Sequence, residues 1–203
     1  MKKAIKVFGT ASLLVCTSFL MNSCNSQSGD AATETTVTAP AKDSMPMAAE
    51  PATAKLTDPE IASIAVTANQ VDIDYANIAK TKAKNPEVLK FASTMAKDHQ
   101  AVIDKAVALV TKLGVTPQDN ATSQSLMSGA ADTKTMLNSK SGADFDKAYV
   151  DNEVAYHKAA IDIVENTLIP NSSNAELKSL LESALPLFKE HLAHAEMVQK
   201  SLK

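Results

Sequence analysis

From Thr57 to Leu202 the chain carries four long runs in which apolar residues return every three or four positions, the spacing of one helical face. Helix punctuation divides the runs. Thr57-Asp58-Pro59-Glu60 combines a capping residue, a first-turn proline and acids, which predicts a helix start; this first helix should run to about residue 83. Asn85-Pro86-Glu87 opens a second, expected to end at Gly114. Residues 115–142 are polar and broken and read as a connection carrying one short helix around 122–139. Gly142 and Asp144 precede a third long helix, expected over 145–168. Pro170-Asn171-Ser172-Ser173 reads as a tight loop, and Asn174 caps a last helix to residue 202, with Pro186 inside it as a kink. Two helices in a hairpin, a long crossover and two more helices form an all-α, ferritin-like four-helix bundle. An up-down-up-down bundle with a long loop, or a five-helix array, is the alternative. Five Gly, no Trp and 45% hydrophobic residues in 203 fit a helical chain with a core.

The residues before this region are of another kind. Three lysines by position 6, a short apolar stretch over 7–21 and Ser23 before Cys24 form the pattern of a signal peptide. Leu20-Met21-Asn22-Ser23-Cys24 has the character of a lipoprotein cleavage site, which makes Cys24 the expected lipid attachment residue. Cys16 follows Val15, which is not small, and fits less well. Residues 1–23 are thus expected to be removed. Residues 24–57, rich in Ala, Thr, Ser and Pro, should form a disordered tether, with the bundle over 58–203. The expected location is the cell envelope, lipid-anchored; Asn25 after the cysteine favours the outer membrane, facing the periplasm. Both cysteines lie outside the bundle region, so no disulfide can staple it.

The composition also excludes functions. The net charge is −3 and all basic residues are lysine. Without arginine forks for phosphate, nucleic acid is a poor partner. There is no nucleophile elbow and no glycine-rich phosphate loop, which excludes familiar hydrolase and nucleotide chemistry and leaves the membrane as the expected partner.

Helical wheels place ionisable groups on the apolar faces. Asp72 falls among Ile61, Ile64, Ala65, Ala68, Tyr75 and Ala79. His99 falls at the centre of the second helix's face, with Asp98 at its edge. Glu153 and His157, four apart on the third helix, share an inward stripe. His191 lies within the last helix's face, with His194 at the flank. Each long helix therefore turns an ionisable side chain inward, and buried charges must be paired, hydrogen-bonded or metal-bound. Two readings are open. One is a polar network that fixes the core of a non-catalytic binding or stress-related protein. The other is a metal site of Asp72, His99, Glu153, His157 and His191, used in storage, sensing or redox chemistry. Three imidazoles and two carboxylates suit Fe, Zn or Cu. The di-iron Glu-x-x-His pattern is not met, since Ala96 and Phe188 stand three before His99 and His191. Met45 and Met47 in the tether, without a histidine, do not make a site.

Three stretches carry a family resemblance: Asn85-Pro86-Glu87-Val88-Leu89-Lys90-Phe91-Ala92 through Asp98-His99; Phe145-Asp146-x-x-Tyr149 through His157; and Leu185-Pro186 through His191. Together they resemble the domain of unknown function 4142 family, bacterial and often exported proteins placed with ferritin-like bundles. The resemblance covers roughly 58–202. It implies the bundle fold and motif positions at Asp98, His99, Phe145, Asp146, Tyr149, His157 and His191, with the Asp72 region in place of the family's first-helix acid. It implies no particular activity.

Overall fold

Thr57 sets the first helix. Its hydroxyl accepts the Glu60 backbone N–H, and the Glu60 carboxylate accepts the Thr57 backbone N–H at 2.8 Å, a reciprocal cap that satisfies two orphan donors. Helix α1 then runs Asp58–Lys82. Helix α2, Pro86–Leu113, is capped by the Asn85 side chain and closed by Gly114 at φ 62°, a left-handed conformation that a Cβ disfavours. Helix α3 is Ala121–Ser139, with Asn120 as its cap. Helix α4, Gly142–Ile163, passes into a π-helical turn, Val164–Leu168, and a last α-turn, α5, Ile169–Asn171. Helix α6, Ala175–Ser201, is capped by the Asn174 side chain. This computed structural model describes residues 55–202; the expected signal segment, Cys24, and the tether through residue 54 with Met45 and Met47 lie outside the described residues. Among those described there is no strand, and no helix is long and apolar enough to cross a membrane.

The expected helices are present, including the one expected around 122–139 in the connection, which is Ala121–Ser139, with two differences. Helix α4 begins at Gly142 rather than Phe145, since Gly142 at φ 58° takes the strained backbone of the start. Pro170 and Asn171 belong to a helix rather than a loop. Pro170 stands one residue past Ile169, which follows the π turn, so its missing N–H falls where the register changes back. Helix α6 continues through Pro186, which is exposed.

Hydrogen bonds between elements fix the chain direction. The Gln118 N–H donates to the Pro59 carbonyl and the Ser63 hydroxyl to Asp119, so α3 begins beside the start of α1. At its far end Lys82 Nζ donates to the carbonyls of Leu137 and Asn138. Helix α3 thus travels the length of the bundle as the crossover. Asp146, near the start of α4, accepts the backbone N–H groups of Lys84 and Asn85 at the α1–α2 turn, which puts the starts of α2 and α4 at the same end. Asp58 accepts the N–H groups of Ser173 and Asn174 at the other end. Helices α2 and α4 are therefore parallel, with α1 and α6 opposite to them, the order of a bundle with one long crossover.

The core has two apolar halves. One gathers Phe91, Met95, Phe145, Tyr149, Val150 and Ala195. The other gathers Ile61, Ile64, Leu168, Leu177, Leu181 and Phe188. Between Met95 and Val102 on α2, and between Phe188 and Ala195 on α6, the inward positions fall to His99 and His191. A polar layer divides the core.

Candidate metal centre

Asp72, His99, Glu153, His157 and His191 all reach this layer, each at most 4% exposed. Asp72 comes from α1, His99 from α2, Glu153 and His157 from successive turns of α4, and His191 from α6. The three imidazoles form a nearly even triangle, with centroids 5.5 Å apart for His99–His157, 5.1 Å for His99–His191 and 5.4 Å for His157–His191. Phe188 stacks on His99 at 5.5 Å and Tyr156 meets His157 edge-on, so two rings are held by aromatic walls. Asp72 Oδ2 lies 3.5 Å from His99 Nε2 and 3.7 Å from His157 Nε2. Glu153 Oε2 lies 3.6 Å from His157 Nδ1.

Each ring is anchored through one nitrogen only. His99 Nδ1 lies 2.7 Å from Asn69 Oδ1. The Asn69 amide nitrogen already donates to the Ala65 carbonyl, so Oδ1 accepts and His99 Nδ1 carries the proton. His157 Nδ1 donates to the Glu153 backbone carbonyl at 3.0 Å. His191 Nε2 donates to the Asp98 carboxylate at 3.2 Å. What remains are His99 Nε2, His157 Nε2 and His191 Nδ1. All three are buried without a hydrogen-bond partner, as are both oxygens of Asp72 and both of Glu153. The anchors thus fix the tautomers and leave three bare lone pairs; metal-ligating histidines are oriented in the same way, by a hydrogen bond from the opposite nitrogen. One ligand atom from each of the three histidines can be chosen so that all lie within 4.8 Å of one another, and the same holds for Asp72, Glu153 and His157.

The electrostatics follow from burial. Burial pushes the Asp72 carboxyl up to about 8. Glu153 is raised well above the ordinary carboxyl range, first by burial and then by Asp72 beside it, against a smaller downward pull from Tyr149. His99 is held well below its ordinary value by burial and by the other two rings. Burial also lowers His157, to about 4, against the opposing hydrogen bond to Glu153. His191 is lowered by burial, with Asp98 pulling the other way. At neutral pH without a cation the imidazoles are neutral and the carboxyls hold their protons. The protonated carboxyls and the Tyr149 hydroxyl are then donors, yet none of them pairs with a free imidazole nitrogen.

All five residues singled out from the sequence converge here. Sequence reasoning missed Asn69, three before Asp72 and hence on the same face of α1; a neutral amide drew no notice on a wheel of charges. Asp98 was placed at the edge of α2, and from that edge it reaches His191. His194 lies apart from the triangle, with its ring edge-on to Phe91 at 5.0 Å. Asp146 is buried but serves the α1–α2 turn.

A solved structure described as CopM in the Cu(II)-bound form is similar in fold. The TM-score is 0.55 and the identity 18%, over 72% of this chain and 98% of that one. A search of curated proteins returns no match. The family model described as domain of unknown function 4142 matches residues 42–198, and the chain belongs to that family.

Proposed function

We propose that this protein binds one divalent transition-metal ion in the polar layer of its bundle, through His99 Nε2, His157 Nε2 and His191 Nδ1, with Asp72 and Glu153 as carboxylate ligands or charge partners. The observation that carries the reading is the set of three buried, unpartnered imidazole nitrogens whose opposite nitrogens are each tied to an acceptor. A structural network would join donors to acceptors. Here the nearest carboxyl oxygens stand 3.5 Å and 3.7 Å from the free nitrogens, beyond good hydrogen-bond reach. A divalent cation that displaces the carboxyl protons would satisfy the imidazole nitrogens and the carboxylates together. With both carboxyls ionised its charge is cancelled, so the loaded core is neutral.

The donors are nitrogen and oxygen with no sulfur, a set that suits Cu(II), Zn(II) or Fe(II) rather than Cu(I). Cu(II) stands highest in intrinsic affinity at such sites, and the bundle of CopM is one whose Cu(II)-bound form has been solved. Ligation at about 2.0–2.1 Å needs the three nitrogens to draw together by on the order of an ångström, within the reach of small side-chain rotations. Storage or sensing of the metal is the role proposed, performed by an exported protein anchored to the envelope through a lipid on Cys24.

The test is calorimetric titration of Cu(II) and of Zn(II) into tag-free protein. One tight site is expected in the wild type and none in His157→Ala. Equal binding by the two proteins, or none by either, overturns the reading.

A further inference from the structure

Beside the polar layer lies an apolar cavity of about 70 Å³. Its wall is built by every long helix of the bundle, and its only polar residues are Asn69, Tyr156, His99 and His157. His99 and His157 belong to the triangle of rings, and Asn69 orients one of them. The rest of the wall is alanine, branched aliphatic side chains and Phe188. The π turn contributes two of these, Val164 and Leu168, both buried; a single turn of wide register inside an α-helix is a frequent mark of a functional position. Toward the surface the lining includes Ala65 and Ala68 of α1 and Ala159 and Ala160 of α4, partly or fully exposed. The Tyr156 hydroxyl spans the two helices there, donating to the Ala68 carbonyl at 2.8 Å.

The volume and the wall together select an occupant. A sugar, nucleotide or amino acid carries more polar groups than this wall can pair. An ion would find no charged partner on this wall, whose two imidazoles are neutral. Water needs two to four polar partners, which this wall does not supply away from its inner end, and apolar cavities of this kind stay dry and take small apolar molecules. We propose that the cavity is a binding site for dioxygen, held against the imidazoles of His99 and His157. Its relevance to metal chemistry rests on the metal-binding reading above. The cavity itself does not, and the experiment separates the two.

Methyl-labelled, metal-free protein is placed under dioxygen pressure and the relaxation of its methyl groups is read by NMR. The expected result is paramagnetic broadening of the Val102, Val110, Leu177 and Leu181 methyls several-fold greater than that of exposed Val107. Ala106→Leu, which extends a buried wall residue into the space, should abolish the difference while leaving calorimetric metal binding intact. Ala160→Leu serves the same purpose if the first variant does not fold. Equal broadening of wall and surface methyls, or enhanced broadening that survives in the filled variant, overturns the proposal. Loss of the metal reading with the broadening intact leaves a dioxygen-sized cavity beside a metal-free cluster, so each failure is recognised by its own readout.

Discussion

Replacing Asp72 with asparagine should stabilise the metal-free protein while removing a ligand. The side chain is wholly buried, and neither carboxyl oxygen has a hydrogen-bond partner. Its carboxyl is raised from 3.8 to about 8 by burial. The sign is that of a raised folded-state value: the protonated group's contribution is fully present below 3.8 and is lost progressively as pH rises to about 8. At pH 7 the unfolded chain carries the carboxylate and the folded chain the acid, so folding takes up a proton across about three pH units. At about 1.36 kcal/mol per unit this costs the wild type about 4 kcal/mol as an upper limit. Asparagine has nearly the same shape and does not ionise. Asp72→Asn should therefore raise stability at pH 7 in chelator by up to about 4 kcal/mol, roughly 2–4 °C in Tm for each kcal/mol in a domain of this size. The gain should shrink toward zero near pH 4. Denaturant unfolding of both proteins at the two pH values, with chelator, measures it. If Asp72 instead stood as a carboxylate paired with charged imidazoles, removing it would destabilise the protein by about 3–5 kcal/mol, and that result refutes the reasoning.

Metal binding must displace the carboxyl protons, so apparent affinity should fall as pH drops below about 8, the value for Asp72, by about tenfold per unit for each proton released; a titration series in non-chelating buffers reads the slope, and a flat profile counts against carboxylate involvement. Asp98→Ala removes the acceptor that holds His191 Nε2 and should weaken metal binding about 10–100-fold with little change in metal-free Tm, since Asp98 is partly exposed; an unchanged affinity in calorimetry would make that hydrogen bond incidental. A chain beginning at Lys55 should melt at the same temperature as the mature protein, because the segment before it offers few large apolar groups to a core; a clear drop would mean that the segment packs on the bundle. Cys24→Ser should move the protein from the membrane to the soluble fraction on fractionation, and normal processing with retained membrane association would contradict lipid anchoring.

The helical framework was legible because capping residues and prolines mark it: Thr57-x-x-Glu60, Asn85-Pro86, Gly114 and Asn174 stand at the boundaries the structure shows. The π turn was not, because Val164–Leu168 reads as one more stretch of apolar periodicity and its register depends on packing rather than composition. Helix α3 was legible at nearly its full extent, although its face is weakly apolar and only Ser123, Ala130 and Leu137 are buried along it. The five-residue cluster could be found because charge on an apolar face is an anomaly one helix at a time. Which nitrogen of each ring is free could not, because it is set by groups on other helices or by backbone: Asn69 for His99, Asp98 for His191, the Glu153 carbonyl for His157. Those anchors decide which nitrogen of each ring stands free.

A crystal grown with Cu(II) or Zn(II), with data collected across the metal's absorption edge, tests the central claim most directly. The anomalous difference map should show one strong peak inside the bundle, about 2.0–2.1 Å from His99 Nε2, His157 Nε2 and His191 Nδ1, with His99 Nδ1 still on Asn69 and His191 Nε2 still on Asp98. A map without a peak in the polar layer, or with metal only on surface groups such as His194, would contradict it.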